Sequence, residues 1–248
     1  MTLACTTRDR SAYETGRLAE GDTRLFRPGA LELTSRAITL AHFGAGATVL
    51  DLGCGAGDTL RYLQARGIDG IGIDCADNAA SPEKHVRIVA RAEALPLADG
   101  SVHGVLAECS LSLFQDRERA LAECARVLVD GGRLMISDVY ARNPDAIAPV
   151  RSLRGTRAGR MLMRDELEAG LSNAGFTTNV WEDHSPALRE CAARFLFEHG
   201  TLDGLWGCGG ESSQAIQAEM RAARVGYFLL IATRRKRQAP TGGGSDER

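Results

Sequence analysis

The stretch VLDLGCGAG, residues 49–57, decides the fold. Val49 and Leu50 continue an apolar run that starts at Ala47 and ends on an acid, Asp51. That is the pattern of a short parallel strand buried on both faces. Glycines follow at 53, 55 and 57, and DTLRYLQAR, residues 58–66, then reads as a helix. A strand, a glycine turn and a helix in that order bring free backbone N–H groups and the positive end of a helix dipole to one point. Glycine lets the chain turn tightly there and approach a ligand closely. The spacing also separates ligand classes. A dinucleotide fingerprint reads GxGxxG, but Asp58 stands where its third glycine belongs, and Asp51 sits where it repels a pyrophosphate. A ligand carrying positive groups suits this turn better.

Strands and helices alternate in both directions from the turn. LELTSRAITLAH, residues 31–42, has helical periodicity and is stopped by Gly44 and Gly46. Strand patterns cover 70–74, ending on Asp74, then 85–90, 102–108, 131–138, 176–183 and 226–233, with helices over 117–128 and 164–174. Such alternation builds a mostly parallel sheet with right-handed crossovers. About 40 residues separate Asp183 from Gly226, too many for a plain hairpin loop. Within them SPALRECAARFLFEH, residues 185–199, is amphipathic, so a helical insertion over 184–225 is expected. Residues 1–30 read as a polar N-terminal arm, 31–233 as the folded domain, and 234–248 as a disordered polar tail.

Composition narrows the function. Of 248 residues, 44% are hydrophobic and 25% charged, ordinary for a globular protein, and the formal net charge is −2. Nucleic-acid binders carry a basic excess, and here the basic run at 234–237 reads as a solvated tail. The absence of a long apolar stretch or a hydrophobic leader core points to a cytoplasmic protein without membrane contact. Seven cysteines, an odd number without a CxxC pair, argue for a reducing compartment and against a disulfide framework. The five histidines are scattered, and no metal site is expected.

The pattern DLGCGAG resembles the first motif of class I S-adenosylmethionine-dependent methyltransferases. Three further signals follow in that family's order: Asp74 ending the second strand, RAEALPLADGS (91–101) beside the family's DAExLPFxDxS, and RVLVDGGRL (126–134) beside RVLKPGGxL. The resemblance spans residues 49–138. It implies an α/β fold, a Rossmann-like seven-stranded, mostly parallel sheet with helices on both faces; the helical insertion before the last strand, read from the spacing, is unusual for that family. The resemblance also implies S-adenosylmethionine as cofactor, S-adenosylhomocysteine as product and a small-molecule acceptor. The implied binding set is Asp51 with the backbone of Gly53, Cys54 and Gly55, Asp74 on the ribose hydroxyls, and Cys75 beside adenine. Arg91 stands where the family has an Asp for the adenine amino group; it cannot accept that bond but can stack on the ring. Ala92 and Glu93 complete that loop, Arg27 is a candidate for the methionine carboxylate, and Glu108 and Cys109 follow the fourth strand.

Methyl transfer is an in-line displacement in which the enzyme chiefly aligns and desolvates the reactants. A base is needed only if the acceptor must lose a proton. The candidates are Glu108, as base, as a group steadying the sulfonium, or as an N-cap or ion-pair partner, Tyr140, as orienting group or packing, and His184, as substrate contact or helix cap, with Trp181 beside it. The acceptor is expected beyond the ends of strands four and five, under the insertion. A narrower likeness links GGRLMISDVYA (131–141) and AECSLSL (107–113) to arsenite methyltransferases, with Cys109 at a metalloid-binding position. The second cysteine of that family has no counterpart in RSLRGTR, residues 151–157. Cys109 as a core thiol is the competing reading. Two alternatives therefore accompany the small-molecule enzyme: an arsenite- or thiol-type methyltransferase, and a catalytically silent accessory or sensor module that binds the same cofactor. A nicotinamide dehydrogenase is disfavoured by the loop spacing. A monomer or homodimer is expected.

Overall fold

Apolar runs flanked by glycine turns become the strands of a single twisted sheet in the computed structural model, which describes residues 27–76, 86–147, 160–202, 205 and 213–236. The expectations for residues 1–26, for the 151–157 stretch, for Cys5 and Cys208, and for the tail beyond 236 lie outside the described residues. In chain order the elements are α1 (Ala30–Ala41), β1 (Thr48–Leu52), α2 (Asp58–Gln64), β2 (Asp69–Asp74), β3 (Val86–Val89), β4 (Val102–Glu108), α3 (Arg117–Val127), β5 (Leu128–Ala141), β6 (Leu162–Met163), α4 (Arg164–Asn173), β7 (Phe176–Asp183), α5 (Ser185–His199), α6 (Ser213–Ala222) and β8 (Gly226–Arg234). Local chemistry sets several boundaries. The Asp116 carboxylate accepts the Arg119 N–H and opens α3. Pro186 sits in the first turn of α5, and Gly200 closes that helix in the left-handed conformation.

The strand order is β3-β2-β1-β4-β5-β8-β7. Neighbours from β3 to β5 run parallel, and β8 lies antiparallel between β5 and β7. An eighth strand, β6, pairs with β5 through Tyr140 and Ala141; at two residues it is too short for periodicity to reveal. The connections reverse direction at β1, whose neighbours are β2 and β4. The crevice over the C-terminal ends of those strands is where open α/β sheets hold ligands.

Two apolar layers cover the sheet. On one face, Val49, Leu106, Met135, Val139 and Ile231 pack with Leu33 and Ile38 of α1, Leu188 and Phe195 of α5, and Met220 of α6. On the other, Leu50, Val105, Leu134, Phe228 and Leu230 pack with Leu121 of α3 and Leu171 of α4. Side chains alternate between faces along each strand, so this register decides which polar residues can meet. Asp51 pairs with Leu106, Glu108 with Ser137, and Val139 with Tyr227. Asp51, Glu108, Ser137 and Tyr227 therefore share the α1–α5 face, while Tyr140 points to the other. Among the described residues, no helix is long and apolar enough to cross a membrane.

Candidate active site

The glycine turn is stitched to β2: Gly53 and Cys54 both donate their N–H to the Ile73 carbonyl, at 2.7 and 3.1 Å. Gly53 has φ +86°, and a Cβ there would lie 2.7 Å from the Ser110 Cβ, so both space and conformation demand glycine. Ser110 donates its hydroxyl to Leu52 O at 2.7 Å and covers the turn from β4. Gly55 differs. At φ +49° its Cβ would meet nothing within 4 Å, so the chain opens there onto free space. Cys54 turns its side chain inward beneath Gly72, and burial pushes its thiol up to about 12. An inert buried thiol leaves only its backbone at the turn.

Acids line the opening. Asp74 accepts the N–H of Gly55 and of Ala76, each at 2.9 Å. Asp51 is 3% exposed, and among the described residues its Oδ2 has no hydrogen-bond partner. Burial first, then the charge of Glu108, raise its pKa to about 8, with Arg27 opposing. Beside it lies a closed polar cluster. Arg27 donates through Nη1 to Glu108 Oε2 at 2.7 Å and to Thr59 Oγ1 at 2.8 Å, and through Nη2 to Thr34 Oγ1 at 2.8 Å. The Thr34 and Thr59 hydroxyls donate on to Glu108 Oε1 at 2.7 Å and Oε2 at 2.9 Å. Burial disfavours the guanidinium charge, but Glu108 and then Asp51 outweigh it and raise the Arg27 pKa.

In this cluster Glu108 takes the ion-pair role, the alternative to a base. Both its oxygens are occupied by a fixed cation and two hydroxyls. Thr34 and Thr59 were not singled out by the sequence. The signal available was a polar residue on the apolar stripe of α1, where Thr34 is fully buried.

The expected adenine-side loop follows β3. Ala92 is buried. Arg91 Nε lies 3.3 Å from Glu93 Oε2. Glu93 Oε1 accepts the N–H groups of Gln115 at 2.8 Å and Asp116 at 3.2 Å. The Glu93 side chain thus ties this loop to the start of α3 rather than facing a ligand. Cys75 is exposed just past Asp74.

Past β4, Cys109 adopts the left-handed conformation at φ +53°. Its N–H donates to Ser137 O at 2.7 Å, and its Sγ lies 2.9 Å from the Tyr227 hydroxyl. Tyr227, buried and also 3.2 Å from Ser137 Oγ, is a neighbour that periodicity alone had marked only as a strand residue. Apolar Val139, Ala141, Ile147 and Met161 gather on the same face. Among the described residues, no group of three His, Cys, Asp or Glu side chains is placed to hold a metal ion.

The remaining catalytic candidates do not join this site. Tyr140 stands edge-on to Trp181 and Phe228, with ring centroids 5.3 and 5.8 Å apart, and its hydroxyl donates to Asp183 at 3.2 Å. Trp181 stacks on Phe228 at 4.5 Å, with the Arg164 guanidinium over its ring. Both rings lie on the α3–α4 face because odd and even positions of a strand cannot share a side. His184 precedes α5, donates its N–H to Tyr227 O at 2.7 Å, and places Nε2 3.0 Å from Glu182, which Arg36 grips with two bonds. Those contacts anchor the start of the insertion to β8 and β7.

Residues 50–136 match the model of the methyltransferase domain family. An O-methyltransferase, resE, of Aspergillus sclerotiorum is 30% identical over 211 residues, covering 77% of this chain and 76% of the relative. The 27-O-demethylrifamycin SV methyltransferase of Amycolatopsis mediterranei is 29% identical, over 88% of this chain and 86% of its own length. An arsenite methyltransferase of Halobacterium salinarum is 37% identical over 154 residues, which is 55% of this chain and 39% of that longer protein. Among solved structures, phosphoethanolamine N-methyltransferase 2 of Haemonchus contortus, in complex with S-adenosyl-L-methionine, superposes with a TM-score of 0.69 at 15% identity, over 92% of this chain and 59% of the other. The [4+2]-cyclase SpnF shares the fold, with a TM-score of 0.59 at 24% identity, over 82% and 80% of the two chains. The chain belongs to the class I S-adenosylmethionine-dependent methyltransferase family. It is an enzyme of methyl transfer.

Proposed function

We propose that this chain binds S-adenosylmethionine across the ends of β1, β2 and β4 and methylates a small molecule seated beyond β4 and β5. The buried, unpartnered Asp51 Oδ2 carries this reading. A carboxylate oxygen left without a donor costs several kcal/mol unless a ligand supplies one, and an ammonium group does so. The opening at Gly55 gives that ligand room. Asp51 holds the ammonium, and the Gly53–Gly55 backbone borders the chain of the ligand. Asp74 exchanges its bond from Gly55 for the ribose hydroxyls, and Ala92, Cys75 and Arg91 flank the base. Arg27, fixed by Glu108, Thr34 and Thr59, offers its charge to the carboxylate. The sulfonium, when bound, supplies an activated methyl group. The chain's own contribution is to orient the acceptor against Cys109 and the apolar group around Val139 and Met161, and to exclude water. No residue found in the cleft is required as a base.

A formal net charge of −2 favours a small acceptor over a nucleic acid. The likeness to arsenite methyltransferases does not extend to a described thiol cage, since Cys109 meets a tyrosine. Calorimetric titration with S-adenosylhomocysteine tests the donor site. Micromolar binding, weakened at least tenfold by Asp74→Ala, is expected. No binding at millimolar ligand overturns the reading.

A further inference from the structure

The donor site holds more acid than base. Asp51 on β1 is faced by Glu108 from β4, Asp74 from β2, Arg27 from the segment ahead of α1 and Arg87 from β3. Arg27 exerts the larger opposing charge, yet its guanidinium donates to Glu108, Thr34 and Thr59. Asp74 uses its oxygens to accept backbone N–H groups. Among the described residues no donor reaches Asp51 Oδ2. A buried carboxylate with two acidic neighbours and an empty acceptor position is most cheaply kept neutral.

We propose that Asp51 carries a proton in the donor-free enzyme and releases it to solvent when the donor's α-ammonium group arrives beside the carboxylate. This rests on the donor-site reading above. The carboxyl O–H bond breaks, the proton goes to buffer, and an ammonium N–H donates to the freed oxygen. No electrons are transferred. The site thereby trades one positive charge for another and never carries an unbalanced buried anion. Arg27 is already ion-paired with Glu108, so the charge that Asp51 lacks is left for the ligand to bring. The raised pKa of Asp51, near 8, agrees with this assignment.

The exchange is read by calorimetry with S-adenosylhomocysteine at pH 7.0, in phosphate and in Tris, whose ionisation heats differ. The dependence of observed heat on buffer heat gives the protons released. Wild type is expected to release about one proton per ligand and to gain about tenfold in affinity per pH unit between roughly pH 6 and 7.5. Asp51→Asn should release almost none and show a flat profile. Glu108→Gln removes one acid and frees Arg27 to serve Asp51, so its proton count should fall below about half that of wild type. It carries the test if Asp51→Asn folds or binds too poorly. Tight binding by wild type with no proton release overturns the proposal, as does an unchanged count in either variant. Failure of wild type to bind the ligand at all overturns the donor site itself.

Discussion

Replacing Asp51 by Asn should stabilise the donor-free protein, and the gain should depend on pH. Asp51 is 3% exposed, and its pKa is lifted from an ordinary 3.8 to about 8 by burial and by Glu108. A folded-state pKa above the unfolded value means that the folded protein binds the extra proton. The contribution of Asp51 to stability is therefore greatest in acid, below 3.8, and is lost as pH rises toward about 8. At pH 7 the unfolded chain has an ionised Asp51 and the folded chain mostly does not, a penalty of up to about 4 kcal/mol at 1.36 kcal/mol per pKa unit. At pH 5 the same reasoning leaves under about 2 kcal/mol. Asparagine avoids the titration but buries an amide with a donor to satisfy, at a cost of about 1–3 kcal/mol. The expected net gain at pH 7 is about 1–3 kcal/mol, or several degrees in Tm for a chain of this size. It should fade to nothing near pH 5. Urea and thermal unfolding of both proteins at the two pH values measure it. A variant no more stable than wild type at pH 7, with a difference that does not change with pH, would refute the account of Asp51 as a strained, ligand-awaiting acid.

Gly53→Ala and Gly55→Ala should separate folding from binding. The first forces a Cβ against Ser110 and should cost about 2 kcal/mol or more; the second costs about 1 kcal/mol of backbone strain but puts a methyl group into the opening, so homocysteine-ligand affinity should drop at least tenfold while the protein stays folded. Arg27→Met strands Glu108, whose side chain is 8% exposed, and should cost about 3–5 kcal/mol, most of it recovered in Arg27→Met/Glu108→Gln; equal losses in the single and double variants would contradict the pairing. His184→Ala should leave turnover within about twofold and stability within about 1 kcal/mol, because its ring contact is the partly exposed Glu182; a tenfold loss of kcat would return His184 to the active site.

The sequence by itself determined the order of elements and the placing of the glycine turn and its flanking acids at strand ends. Residues 49–57, 70–74 and 102–108 carry patterns that depend only on local periodicity and glycine placement, and the strands formed within a residue or two of expectation. Asp51, the glycine turn and Asp74 were legible for the same reason: they are fixed relative to strand ends, where neighbouring positions along one chain already define the geometry. Tertiary structure alone decided which distant side chains meet. Arg27, Thr34, Thr59 and Glu108 come from four separate segments and converge because α1 packs against α2, β5 and β8 on the face of the sheet that Glu108 shares. Cys109, Ser137 and Tyr227 meet through the β4–β5–β8 register. The same register removed Tyr140 and Trp181 from the cleft. A hydroxyl or an indole near a strand end carries no local mark of the face it will take. That is set by pairing with strands far along the chain, where a shift of one residue exchanges the two sides of the sheet.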